Sequence, residues 1–458
     1  MAGRKKQPEL TAEEKLQQAL VPEAEQPYKV PDNWCWTRLK NISLHIADGS
    51  HNPPKDSGSG VPLLSATNIH DHFIDIENAT RWITKEEWID ENKRTKIEKN
   101  DILLTIVATI GRTAVVKNEI FALQRSVAVI KPKINSEFLS YYFETPYIQK
   151  FMLDNARGTA QKGFYLNSLQ ELMITLPPLA EQQRIVERIE TLFAKLDEAK
   201  EKLQNTLDTF ETRKAAILHK AFTGELTANW RKQYGLTIDS WEENTLNDIA
   251  SYKKGPFGSS ITKAMFVPKT ANTYKVYEQG NVIRKDLTYG HYYITSEKYQ
   301  ELKGFSVKAG DILISCAGTI GEVYKLPPEC EEGVINQALM RVRLNQNIIE
   351  GYFCYYFGEI IKDDVIDKSN GTAMKNIPPF KVLKAIQIKL PTINEQTEIV
   401  RIIDNLLAKE QQAHSIAQNA IAQIDLIKKS ILARAFRGQL ATNNPADEPA
   451  IELLKKVL

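Results

Sequence analysis

Ser50, His51 and Lys55 stand in DGSHNPPKDSGSG, and Lys253, Lys254, Ser259 and Ser260 stand in YKKGPFGSS, two loops that mix small polar residues with basic ones. Glycine lets backbone amides approach a phosphate, Lys neutralises it, and Ser, Asn or Gln offers donors and acceptors to base edges, so this mixture suits DNA. The same chemistry is available from Asn68, Gln124, Arg125, Arg157, Gln161 and Lys162 in the first half of the chain. In the second half Gln279, Asn281, Arg284, Asn336, Gln337 and Lys375 offer it. Any one of them alone is equally a solvated loop or capping group, and only the set points to a DNA-contacting face.

Catalytic patterns are missing. The chain contains no GxxxxGK[ST] phosphate loop, no GxGxxG after a strand and no HExxH. His70 and His72 form the one close histidine pair, without a convincing third metal ligand, and read as loop histidines. Asn52-Pro53-Pro54-Lys55 and Asn376-Ile377-Pro378-Pro379-Phe380 imitate the loop with which amino-methyltransferases hold a flipped base. The first ends in Lys instead of a stacking ring and the second has an extra Ile, so both read as turns. The absent cofactor and base-pocket motifs weigh against a self-contained DNA methyltransferase, and the polar loops weigh against a coiled-coil adaptor without a DNA role.

The elements that must position these residues come in two copies. EQQRIVERIETLFAK from Glu181 and EQTEIVRIIDNLLAK from Glu395 agree at 8 of 15 positions at an offset of 214. At the same offset KAAILHKAFTGEL from Lys214 and KKSILARAFRGQL from Lys428 agree at 7 of 13. DILLTIVATIG at Asp101 and DILISCAGTIG at Asp311 continue the match at an offset of 210, so loops between the helical blocks differ in length. Each copy opens with short runs of Val, Ile, Thr, Tyr and Phe between turn residues, which predicts a strand-rich α+β module.

Each module is followed by a helix of about 40 residues, roughly 60 Å long. Ile185, Ile189, Leu192, Leu196, Ala199 and Leu203 step by four and three, the period of a coiled-coil seam. In the second copy the seam runs through Ile399, Ile403, Leu406, Ala413, Ala417, Ala420, Ile424, Ile427 and Ile431, with Glu410 as a polar interruption, while Thr206 and Arg213 weaken the first. An antiparallel pair of such helices would separate two globular modules; the plainer alternative is a bundle core. Arg213, Lys214, Lys220, Lys428, Lys429 and Arg434 lie toward helix C-termini, where positive charge offsets the dipole. The resulting blocks are an N-terminal segment 1–30, a module 31–178, a helical region 179–237, a module 238–392, a second helical region 393–440 and a tail 441–458.

Composition agrees with a folded chain. Its 458 residues are 42% hydrophobic and 25% charged, with 59 basic against 57 acidic residues, a balance that neither supports nor excludes a DNA-binding patch. No apolar run approaches the ~18 to 20 residues of a membrane span, and no secretory signal opens the chain, so a cytoplasmic protein is expected. Cys35, Cys316, Cys330 and Cys354 have no zinc-site spacing and read as structural or incidental thiols.

With LPPLAEQQRIVERIE at Leu176, LPTINEQTEIVRIID at Leu390, KAFTGEL and RAFRGQL, the N-terminal ALVPEAEQPYKVPDNW and the tail NPADEPAIELLKKVL, nearly the whole chain resembles the specificity subunit of a type I restriction-modification system. The resemblance implies two target-recognition domains, each reading one half of an asymmetric, gapped site in double-stranded DNA, with the helices setting the gap. It implies no cofactor and no catalysis in this chain. Its partners would be two modification subunits carrying S-adenosylmethionine and two restriction subunits using ATP and magnesium. The capping box Thr11 to Glu14 and the apolar face of Ile451, Leu454 and Leu458 lead to the expectation that the two chain ends meet.

Overall fold

The computed structural model describes residues 11–158, 161–367 and 377–458, side chains of 360–367 excepted. The chain forms two compact units, one of residues 1–204 with 418–458 and one of residues 205–417. These units cut across the linear blocks, since each division falls inside a helix.

In the first unit Ile102–Thr105 is wholly buried and lies inside a four-stranded sheet, flanked by Val127–Pro132 and Thr113–Val115, with Ser43–Asp48 at the edge. Its pairings are antiparallel. Asp101 precedes that strand with its carboxylate accepting from the Glu98 amide at 2.8 Å and from Lys131 at 3.0 Å. The second unit repeats this plan: Ala250–Lys254, Leu339–Leu344, Ile312–Ser315 and Val323–Lys325 form the sheet, and Asp311 accepts from the Lys308 amide at 2.9 Å and is gripped by Arg343 at 2.6 and 2.8 Å. A buried acid thus needs its cation in both copies, but the cation has changed from Lys to Arg. Each unit also carries a second sheet with one parallel pair, Val61–Leu64 with Ala122–Leu123 in a three-stranded sheet and Thr273–Tyr277 with Gly333–Ile335 in a four-stranded one. The α+β repeat is therefore present in the backbone topology.

The helices differ in one respect from the expected equal pair. The distal helix, Ile393–Ala435, is continuous over 43 residues, whereas the central one runs 30 residues over Leu179–Asp208, is interrupted at Thr209 and resumes as Phe210–Phe222. Thr209 donates its hydroxyl to the Asn205 carbonyl at 2.7 Å.

Within the first unit the helices run antiparallel, as Lys200 pairs with Asp425 at 3.0 Å and Lys428 with Asp197 at 2.5 Å. Within the second, Arg213 pairs with Glu410 at 2.8 Å and the Phe210 and His414 rings lie 4.8 Å apart, again with one number rising as the other falls. Two of the three polar interruptions of the seams, Arg213 and Glu410, are therefore each other's partner.

The seam holds at Ile185, Ile189, Ile399, Ile403 and Ile424, which are buried, and more loosely at Leu192, Leu196, Leu203, Leu406 and Ile431, which are half-buried. It fails at Ile427, which is 44% exposed, and at Ala199 and Ala413, which are exposed. Beyond Ile424 the inward stripe steps through Lys428 to Leu432 and Ala435, because there the helix packs on the first unit's core and follows the 3.6 period of a straight helix instead of 3.5. Lys428 lies 4.8 Å over the Phe193 ring with its ammonium on Asp197. Arg213 and Lys428 accordingly serve the helix pairing, a correction to their reading as dipole-offsetting charges.

The chain ends meet in the first unit: helices Ala12–Ala19 and Ala450–Val457 share a core through Leu16, Ala19, Ala450 and Leu454. The Thr11 and Glu14 capping box is formed, whereas Leu458 stays 40% exposed. No helix among the described residues is long and apolar enough to cross a membrane.

Candidate DNA interface

A loop must be seated before it can present side chains, and both copies seat theirs in the same way. At the end of strand Ser43–Asp48 the chain passes Gly49, whose amide donates to the Val127 carbonyl at 3.1 Å. A Cβ on Gly49 would lie 2.2 Å from the Leu123 carbonyl oxygen, so only glycine lets the loop reach the Leu123–Gln124 turn. The Ser50 amide donates to Leu123 at 2.7 Å and the Arg125 amide to Ser50 at 2.9 Å, locking loop to turn. In the second unit Gly255 donates to the Leu339 carbonyl at 2.9 Å, and a Cβ there would lie 1.8 Å from the Asn336 carbonyl oxygen. The Asn336–Gln337 turn is thus the counterpart of Gln124–Arg125.

The candidate residues divide by what this seating leaves free. His51, Lys55 and Arg125 are exposed beside the first turn, with His51 Nε2 2.7 Å from Asp48 Oδ2 and Arg94 on the same carboxylate. Gln124 is half-buried. Arg157, Gln161 and Lys162 are exposed beside reciprocal Arg157 and Gly163 backbone bonds of 2.9 and 2.8 Å. In the second unit Lys254, Ser259 and Gln337 are exposed and Ser260 is half-buried. Lys253 lies 4.7 Å over the Phe305 ring and Arg284 4.8 Å over Tyr289. Asn336 is half-buried and accepts the Ala338 amide at 3.0 Å. Lys375 lies outside the described residues.

Four candidates are committed to the fold. Asn68 is buried, accepts the Ser65 amide at 3.1 Å and donates to the Asp75 and Asn78 carbonyls at 3.2 and 3.4 Å. Its counterpart Asn281, fully buried, accepts the Glu278 amide at 2.9 Å and donates to Asp286 and Tyr289 at 2.9 and 2.8 Å. A buried amide with both ends paired has nothing left for a base. Ser50 is also buried, its hydroxyl on Glu91 at 3.0 Å, and Gln279 holds the Ala317 and Thr319 carbonyls.

Other features had no clear signal in the residue types. Phe257 is 87% exposed at the crest of the second loop. The glutamates opening the EQ motifs, Glu181 and Glu395, are fully buried. Glu181 accepts from Trp34 Nε1 at 2.7 Å, Asn443 at 2.9 Å and Thr442 at 3.2 Å. Glu395 accepts from Trp241 Nε1 at 3.0 Å, Thr227 at 2.6 Å and Arg231 at 2.5 Å. They tie each module to the helix base.

His72 pairs with Glu144 at 2.8 Å at the edge of an open cavity of about 850 Å³. Burial lowers the His72 pKa, but the adjacent Glu144 carboxylate, with Glu137 and Asp71, outweighs it and raises it above the ordinary 6.5. Glu144 is raised by burial, against the opposing pull of His72 and Lys428. Both groups bind protons more tightly folded than unfolded, so each contribution is complete below its unfolded pKa and is lost as pH rises through its folded pKa. For His72 that window lies above 6.5. The unfolding temperature of the wild type should fall between about pH 6 and about pH 8.5 by more than that of His72→Gln; parallel curves in a thermal melt would refute the assignment. Among the described residues no group of three His, Cys, Asp or Glu is placed to hold a metal ion.

A model of the type I restriction modification DNA specificity domain matches residues 54–209 and 238–421, most of the chain and once per copy. The EcoBI specificity subunit of Escherichia coli is 27% identical over 342 residues, 70% of this chain and 69% of that protein. The EcoKI specificity subunit of Escherichia coli strain K12 is 23% identical over 449 residues, 92% of each chain. The crystal structure of the HsdS subunit from Thermoanaerobacter tengcongensis, 19% identical, shares the fold with a TM-score of 0.62 over 91% of this chain and all of that one. With two matched copies on two equivalent loop scaffolds, this chain belongs to the family of type I restriction-modification specificity subunits, the DNA-sequence-recognising members of those systems.

Proposed function

We propose that the chain is the reader of a type I restriction-modification complex, without catalysis of its own, and that each strand-rich module reads one half of an asymmetric, gapped duplex site. The carrying observation is the shared seating of Gly49 and Gly255 on equivalent turns, from which unlike side chains project. Equivalent scaffolds with different contacts make two different half-sites. The chain binds no cofactor; two modification subunits supply S-adenosylmethionine and adenine methylation, and two restriction subunits supply ATP- and magnesium-dependent cleavage, in the cytoplasm. Two similar faces on one chain suit two identical partners. The meeting of helices Ala12–Ala19 and Ala450–Val457 supports a second docking face completed by the chain ends.

Selection of random duplex DNA by the full chain assembled with its modification subunits should yield one bipartite, non-palindromic motif. A single continuous motif, or none, would overturn the proposal. The helices act as the ruler in this reading. Inserting about four residues, one turn, between Ala199 and Thr209 and a matching turn into the distal helix should change the selected gap and leave both halves intact. Altered bases within either half would contradict separate reading and spacing.

A further inference from the structure

Phe257 is an apolar ring held in water. At 87% exposure it is the most exposed large hydrophobic side chain among the described residues. It is also held in place: Gly255 abuts the Asn336 carbonyl, Pro256 is buried, and Ile261 at the loop's other end is 6% exposed. A short turn over Gly258–Ser260 joins these anchors, so the crest has little slack. Such a residue gives up hydrophobic stabilisation in the free protein, which a bound partner would restore.

The surroundings identify that partner. From Tyr252 to Lys275 the sequence holds Lys253, Lys254, Lys263, Lys269 and Lys275 and no Asp or Glu. Lys269 is drawn off by Glu331 and Lys275 is buried, but Lys254 and Lys263 remain exposed on the same stretch of chain, and Lys253, also exposed, lies over the Phe305 ring. An exposed apolar ring on a stretch of chain that carries exposed ammonium groups and no acidic residue matches a polyanion with stacked apolar interiors, and mismatches a protein groove, where lysine is disfavoured. The other copy sharpens the contrast. There Gly49 is followed by buried Ser50 and by His51 on Asp48, a hydrogen-bonding group at the comparable place.

We infer that Phe257 is a specificity-determining wedge: its ring enters a groove of the second half-site and leans into one base step, while Lys253, Lys254 and Lys263 take the flanking phosphates. The inference rests on the reading of the chain as a DNA reader. The ring favours steps that unstack easily, and it reads deformability where the first module reads through polar groups.

The test uses the full chain assembled with its modification subunits, as wild type, Phe257→Ala and Phe257→Leu. Random-duplex selection followed by binding to the selected sequence should show base preference lost at one or two adjacent positions of a single half-site for Phe257→Ala. Affinity should fall roughly tenfold to a hundredfold, the range for removing one base–aromatic contact. Phe257→Leu, still an apolar wedge, should recover part of both. With 2-aminopurine at the affected step, wild type should brighten the probe on binding and Phe257→Ala should not. An unchanged motif and affinity in Phe257→Ala overturns the inference while leaving the reader function standing. An unchanged motif with loss of bound modification subunit also overturns it, making the ring a protein contact. A wild-type complex that selects no bipartite motif removes the reader function, and the inference with it.

Discussion

Glu395→Gln is expected to destabilise the second unit by about 3–5 kcal/mol, because it leaves the Arg231 guanidinium buried without its counter-charge. Arg231 has nowhere else to go: its side chain is 8% exposed, it donates to the Gly224 carbonyl at 2.6 Å and to Thr227 at 3.0 Å, and it lies 5.6 Å from the Trp241 ring. The repeat supplies an internal control. Glu181 occupies the same place in the first unit but accepts only from the neutral donors Trp34, Asn443 and Thr442. Glu181→Gln strands no cation and should cost about 1–2 kcal/mol, the scale of one impaired buried hydrogen bond. Denaturant unfolding followed by tryptophan fluorescence measures both, since Trp34 and Trp241 sit on the two carboxylates. Equal small losses would mean that the Arg231 charge is relieved by rearrangement and that the geometry at Glu395 is not what holds the module.

The second large effect concerns DNA. Lys253→Ala, Lys254→Ala and Lys263→Ala together should reduce the slope of log affinity against log salt by up to about 2.7, at about 0.9 for each phosphate left without its ammonium group. Binding at low salt should fall by orders of magnitude, while the selected sequence stays the same, because groups on the phosphates position the protein and carry no sequence information directly. Lys455→Ala, on the C-terminal helix and paired with Glu452 at 2.8 Å, should leave the slope unchanged. A triple variant with the wild-type slope would place the duplex elsewhere on the second module. One with an altered motif would give these lysines a part in reading bases.

The repeat, the α+β modules and the existence of the helices were legible in the sequence because each is a local pattern, repeated at a nearly fixed offset. Heptad arithmetic failed where the helix changes partner. Ile427 fits a 3.5 period, but the end of that helix answers to the core around Leu432 and Phe436, and the stripe turns with it. Asn68 and Asn281 suit a DNA-facing role by residue type, and the same amide chemistry suits the closing of a turn, which is what they do. Their carbonyl partners lie seven to ten and five to eight residues further on, and only the folded turn brings them within reach. Glu181 and Glu395 stood out as matching positions of the repeat, but their anchoring role was not legible, since their tryptophan partners lie 147 and 154 positions away. Phe257 is illegible for a different reason: an aromatic residue in a loop is normally folded inward, and its exposure is a property of the anchors on either side of it.

Two readers of different sequence on this one chain would make methylation by its partners depend on it. Single-molecule sequencing of adenine methylation, in cells that express the modification subunit with and without the chain, measures that dependence. Methylation is expected at one asymmetric, bipartite motif only when the chain is present, with Phe257→Ala relaxing one half alone. Methylation that is independent of the chain, or confined to a palindromic or ungapped motif, would contradict that expectation.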